Sequence, residues 1–252
     1  MPQIYAKTNR AIPTKVADAS QLQPRVSGYG EFVTTVLSPT TYALADEGSY
    51  FKAVNATIGT GIIHALTTAW SATAALFTIN NSDAEGAKRI YLDYVRLVTG
   101  ATAISMTVAT SIESAITIDN TNRFSSGGTT ITPTNVNMDN SRATVATVNF
   151  GAVVATAASG SVRQIARAAF ARRAAPAMVT GDQFYWDFGA ANSPPIMSVA
   201  GAAAPATAAT SFYTPMSPVV IGGGDTIVFH LWYPAGATTA PTYEFEIGWW
   251  ER

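Results

Sequence analysis

The chain has 252 residues and a mass of 26.4 kDa, and only 12% of its residues are charged, against an ordinary share of roughly 25%. Fifteen Lys plus Arg against sixteen Asp plus Glu leave a formal net charge of -1, so no global field draws the protein to nucleic acid, and nonspecific nucleic-acid binding is disfavoured. The absence of cysteine rules out a disulfide framework, a thiolate zinc site and a cysteine nucleophile, and two histidines leave little room for imidazole chemistry.

Residues 1–28 carry Pro2, Pro13 and Pro24, four cations (Lys7, Arg10, Lys15, Arg25) against Asp18, and almost no periodic hydrophobics. They read as an extended arm that orders only against another surface, or as a disordered terminus. No apolar run of signal-peptide length opens the sequence, so no secretion signal is expected. The domain organisation that follows is an arm over 1–30 and one domain over 31–252, a length suited to a single large all-β unit.

Segment 61–79, GIIHALTTAWSATAALFTI, is uncharged over nineteen residues, close to the roughly 20 needed to span a membrane. Its four Thr, its Ser and His64, and the Asn80-Asn81-Ser82-Asp83 turn behind it argue against a span, so no membrane partner is expected. Short strands separated by turn clusters follow, as in a sandwich or barrel: Arg89–Val98, Ala103–Thr110, Gln183–Phe188, Thr226–Tyr233 and Tyr243–Trp250. In the last of these, Tyr243, Phe245, Ile247 and Trp249 share one face at period two and Glu244 and Glu246 the other. The glycines of GGGD, 222–225, fit a tight connection from Pro218–Ile221 into the strand at Thr226, a strand-turn-strand unit. Residues 161–173 are ambiguous. Val162, Ile165, Ala166, Ala169 and Phe170 fit one helical face, yet an Arg-bearing strand fits equally well.

From Phe188 to Gly224 there is no charged residue, and Ala and Thr make up roughly 30% of the whole chain. An uncharged loop of that length points to cover by another subunit, with small residues permitting close approach.

Catalytic patterns are thin. His64 and His230 have no patterned partner, and no metal-ligand spacing occurs, so neither a cofactor nor a metal is expected. There is no Gly-x-Ser-x-Gly elbow, and GGGD opens a strand where a phosphate loop would open a helix. Glu244 and Glu246, about 7 Å apart by the strand rise, are the best carboxylate pair for a glycosidase, but alternating Glu on an outer face is the ordinary way to keep such a strand soluble. Trp186, Trp232, Trp249, Trp250, Tyr185 and Tyr233 could stack on a glycan, though aromatics at alternate strand positions are usually core. Trp249 and Trp250 cannot both face inward, so one of them needs cover, from a subunit or a sugar. Arg163, Arg167, Arg172 and Arg173 have no acidic residue between Asp139 and Asp182 to offset them.

The segments DEGSYFKAVNATIGTGI (46–62), ALFTINNSDAEGAKRIYLDYVRL (75–97) and SPVVIGGGDTIVFHLWYPAGATTAPTYEFEIGWWER (217–252) together resemble structural proteins of tailed-bacteriophage virions, a group with jelly-roll β-sandwich domains that form trimeric decoration, cement or fibre-like components. The resemblance implies no catalytic residues. It implies location in a virion assembled in the host cytoplasm, and binding to the major capsid protein or the tail, as a trimer. The expectation is an all-β, jelly-roll-like antiparallel sandwich with an extended N-terminal arm, acting as a structural protein. Its contact residues are then Trp249 or Trp250, the Ala/Pro-rich 198–210 loop, and Arg172 with Arg173 pairing to a partner's carboxylates. The alternative is a lectin-like or receptor-binding jelly roll that presents surface aromatics to a glycan.

Overall fold

A computed structural model describes residues 40–84, 86–102, 110–172, 180–188, 211–234 and 239–252. Among the described residues one short helix, α1 (Thr40–Asp46), is followed by strands alone as regular elements: β1 (Tyr50–Val54), β2 (Ile62–Ile63), β3 (Ala74–Asn81), β4 (Ile90–Thr99), β5 (Thr110–Asp119), β6 (Phe124–Ile131), β7 (Thr134–Asn135), β8 (Ala146–Ala155), β9 (Arg163–Arg172), β10 (Gln183–Asp187), β11 (Ser211–Pro215), β12 (Val219–Ile221), β13 (Thr226–Trp232) and β14 (Thr242–Glu251). The predicted N-terminal arm, the 198–210 loop and most of the Ala103–Thr110 strand lie outside the described residues.

One sheet runs β11-β10-β4-β14-β1-β7, with β12 added beside β4 and β2 beside β14; the other runs β6-β8-β3-β13-β5-β9. Within them the strings β10-β4-β14-β1 and β3-β13-β5-β9 contain eight strands whose chain order alternates between sheets except at β5 and β9, which follow one another in one sheet, as in a jelly roll. All their pairings are antiparallel. The β6–β8 hairpin is an insertion that widens one sheet, and β11, pairing in parallel with β10, widens the other. The expected jelly-roll sandwich is therefore the fold.

Sequence patterns explain where the core lies. Across the sandwich Phe245 of β14 stacks on Phe150 of β8 with centroids 3.7 Å apart, and within the six-stranded sheet Phe77 of β3 stacks on Phe229 of β13 at 4.8 Å. The ambiguous 161–173 segment is a strand. A register shift lies between Ile116 and Thr117, where Ala166 and Gln164 are the successive partners, so Ile165 is an extra residue in β9. That bulge puts Ile165, Ala168 and Phe170 against the core, a spacing that imitates one face of a helix. The GGGD connection also differs from a simple hairpin. β12 pairs with β4 and β13 with β3 and β5, so the turn carries the chain from one sheet to the other. Gly224 takes a positive φ there, and a Cβ on Gly223 would lie 2.5 Å from the Asp83 carbonyl oxygen.

A buried ion pair fixes the outside of the six-stranded sheet. Arg123 Nη1 donates to Asp119 Oδ2 at 3.1 Å, with both side chains essentially inaccessible. The other guanidinium nitrogens donate to Thr156 O and Ala72 O at 2.9 Å, and Ser159 donates to Asp119 from both its amide and its hydroxyl. Burial pushes the Asp119 carboxyl up, but the Ser159 hydrogen bonds and the Arg123 charge outweigh it and hold the group below the usual carboxylate range. Asp119→Asn strands a buried guanidinium and is expected to cost about 3–5 kcal/mol in urea unfolding. Because the folded pKa is depressed, the stabilisation is complete above the ordinary value of 3.8 and is lost as pH falls through the folded one. The gap between variant and wild type should close in acid; a gap unchanged by pH would refute this account of the pair.

Candidate association surface

The outer face of the eight-stranded sheet is built by the outward residues of β14, β4, β1 and β10. On β14 the alternation holds: Glu244, Glu246 and Trp250 are half-buried and face out, whereas Trp249 is 0% exposed and faces the core. Trp249 packs on Phe51 at 6.3 Å and donates its indole N–H to Glu251 at 3.2 Å. Of the two tryptophans expected at a contact, Trp249 is thus a core residue, and the period-two geometry leaves Trp250 as the outward one. Trp250 stacks almost parallel on Tyr91 at 5.5 Å.

Glu246 is the charge centre of this face. It accepts hydrogen bonds from Lys52 and Tyr94, and Arg96 Nη1 lies 3.5 Å from its second oxygen. Burial raises its carboxyl, yet the Lys52 and Tyr94 hydrogen bonds and the two nearby cations more than offset that and hold it low. Gly248 makes the arrangement possible, since a Cβ there would sit 2.5 Å from the Tyr94 ring and 2.6 Å from the Tyr50 hydroxyl. Tyr50 donates to Asp93, the extra residue at the register shift opposite Gly248 and Trp249. Burial raises the Asp93 carboxyl, and the charge of Asp187 adds to that while the Tyr50 hydrogen bond opposes it. Beyond it, Tyr94, Tyr185 and Tyr213 stack across three strands with centroids 5.4 and 5.8 Å apart, Lys52 caps the Tyr94 end at 5.4 Å, and Tyr213 donates to Asp187 at 3.0 Å. The result is an aromatic row with its ring faces against one another or against a cation.

At one end of the sandwich this face meets apolar side chains on a pinned connection. Asn55 accepts from the Phe245 amide at 2.6 Å and donates to Thr60 O, and β2 pairs with the start of β14. The loop so fixed exposes Val54 at 42%, Ile58 at 94% and Ile63 at 60%. Val54 and Ile58 line a shallow groove of about 300 Å³ with Asn55, Arg96, Val98, Glu244 and Glu246. The two glutamates are neighbours on one strand face rather than opposed across the groove. Glu246, held low in pKa, is ionised and has no proton to deliver as a general acid.

The remaining candidates are placed as follows. Arg172 ends β9 with its backbone paired to Thr110, while its side chain and all of Arg173 lie outside the description. His230 is buried with both nitrogens in use: Nδ1 faces Ala74 O at 2.8 Å and Nε2 the Thr117 hydroxyl at 3.2 Å, an arrangement satisfied by a neutral ring. His64 is buried between Gly151 O and Leu231 O and ties the 62–67 segment to both β8 and β13. Burial lowers the pKa of both rings. Among the described residues no group of acidic or imidazole side chains could hold a metal. Tyr50, Lys52, Asp93, Tyr94 and Arg96 were not singled out from the sequence, because only the pairing of β1, β4 and β14 brings them round Glu246; the period-two positions of the three strands were the signal available.

No family model, no characterised protein and no solved structure matches this chain.

Burial, reinforced by the nearby carboxylates, raises the phenols of Tyr50, Tyr94 and Tyr185 above the ordinary value of 10.0. Their stabilisation is therefore whole below that value and is lost as pH rises past it. Alkaline absorbance titration of the folded protein should leave these phenols protonated after the first tyrosines ionise and release them together with unfolding. A single titration of all ten tyrosines near the ordinary value without unfolding would contradict the described packing.

Proposed function

We propose that this protein is a non-enzymatic structural component of a phage virion that self-associates, as a trimer, and binds the capsid lattice or the tail. The observation that carries the reading is the Val54–Ile63 connection, which holds three aliphatic side chains out in water on a loop fixed by hydrogen bonds. A pinned loop cannot tuck these groups away by collapsing, and docking of a second chain would bury them. Charge patterning supports the same reading. Lys52 and Arg96 both pair with Glu246, and Glu244 lines the same groove, so the four charges beside the apolar loop sum to zero and leave no net charge to repel a second chain. The phage assignment itself rests on the residue resemblance over 46–62, 75–97 and 217–252.

The solution mass tests the association. The wild-type protein is expected at three times the 26.4 kDa chain mass by light scattering, and Ile58→Asp combined with Ile63→Asp should shift it to the monomer with an unchanged far-ultraviolet spectrum. A monomeric wild type, or an oligomer indifferent to both substitutions, would overturn this role for the loop. Cosedimentation with empty capsids and with purified tails, done separately, tests the virion reading, and binding to neither defeats it.

A further inference from the structure

On the opposite side of the sandwich, the outer face of the six-stranded sheet holds a second concavity. Trp70, Ala115, Gln164, Arg167 and Trp232 line a cleft of about 330 Å³. We propose that this cleft binds a sugar ring, one or two units of a neutral glycan, independently of the self-association proposed above.

The cleft is built by the sheet. Gln164 and Arg167 are three residues apart, so on a regular strand they would project from opposite faces. The extra residue Ile165 corrects the parity: Gln164 stands opposite Thr117 and Arg167 opposite Ala115, two outward positions of β5. Ala115 is buried and small, which leaves the floor low between its taller neighbours. Trp232 forms one wall with the Arg167 guanidinium 5.9 Å from its ring centre, and Arg167 is held by Glu113 at 2.6 Å. Trp70 forms the other wall, with its ring 6.0 Å from the ring of His230 and half of its surface exposed.

Trp70 is the residue that points to a ligand. Its segment is tied down on both sides: Thr67 bonds the Leu231 carbonyl and the Tyr233 amide, Ala72 O accepts from Arg123, and Thr73 O accepts from the Ala155 amide. The largest side chain in the protein's repertoire is thus held between fixed flanks with 51% of its surface still exposed. Preorganisation of that kind lowers the entropic cost of binding.

The chemistry selects the ligand class. Trp70 offers an open indole, Trp232 lies buried beneath the Arg167 guanidinium at the other side, and Gln164, Arg167 and Glu113 offer a short row of donors and acceptors, which matches a pyranose with one C–H face and a rim of hydroxyls. Glu113 neutralises Arg167, so the site lacks the uncompensated positive charge that a phosphate or other dianion would require. His230 has both nitrogens occupied and takes no part.

Tryptophan fluorescence and saturation-transfer NMR with the full-length protein test the proposal, using glucose, galactose, N-acetylglucosamine and their disaccharides as probes, with adenosine and indole as controls. At least one sugar should bind at millimolar concentration. Trp70→Ala, and separately Ala115→Leu, which fills the floor, should each weaken it by about tenfold or more. Both variants should keep the wild-type solution mass, so loss of sugar binding is read apart from loss of association. Binding of none of the sugars, preference for adenosine or indole over all of them, or sugar binding untouched by both substitutions would each overturn the assignment.

Discussion

β14 lies between β4 and β1 in the eight-stranded sheet, so the last strand of the domain must be paired on both edges by strands that precede it by some 150 to 200 residues. Its period-two pattern then decides both surfaces at once. Tyr243, Phe245, Ile247 and Trp249 supply the middle of the core, while Glu244, Glu246 and Trp250 supply the outer face. A one-residue slip in its pairing would turn the glutamates inward and the aromatics outward. Glu251 guards against that slip. It is fully buried at the strand end and accepts from the Val145 amide at 3.1 Å and the Thr144 hydroxyl, partners off the strand that exist in a single register, as well as from the Trp249 indole on β14 itself.

The low charge content follows from the same economy. Asp119 and Arg123 join the β5–β6 connection to 72 and 156–159, Glu251 anchors β14, and Glu246 gathers Lys52, Tyr94 and Arg96. These ionic groups act as fasteners between sequence-distant segments, since a buried charge is tolerable only with its partners in place. Among the described residues the exposed large apolar side chains include Ile58, Ile63 and Trp70, each on a segment that backbone or side-chain hydrogen bonds hold in place.

Much of the fold was legible because strand alternation and turn glycines are local signals. β4, β10, β13 and β14 sit within a residue or so of the expected segments, and the outward placement of Glu244 and Glu246 followed from parity alone. Two things were not legible. A bulge shifts parity without leaving a mark in composition, which is why Arg163–Arg172 read equally well as helix, and why Gln164 and Arg167 did not read as neighbours on one face. Surface constellations depend on pairing across the sheets, so the grouping of Lys52, Tyr94 and Glu246 had no linear signature. Trp70 sat within an uncharged stretch whose salient question was membrane insertion, and only the hydrogen bonds of its flanks reveal that it is held in the open.

The sheet edges explain why association would use loops rather than strand addition. β9 carries Arg163 and Arg167 along its length, β6 is broken by register shifts at Ser125 and at Gly128, and β7 is two residues long. Each is a recognised means of blunting an edge against another chain's backbone. β11 is uncharged but is only five residues long and closes on Pro215, which has no amide to donate. With the edges so guarded, side-chain burial on the fixed Val54–Ile63 connection would be the stronger route to a specific contact, and the cleft at Trp70 lies away from it, on the outside of the other sheet.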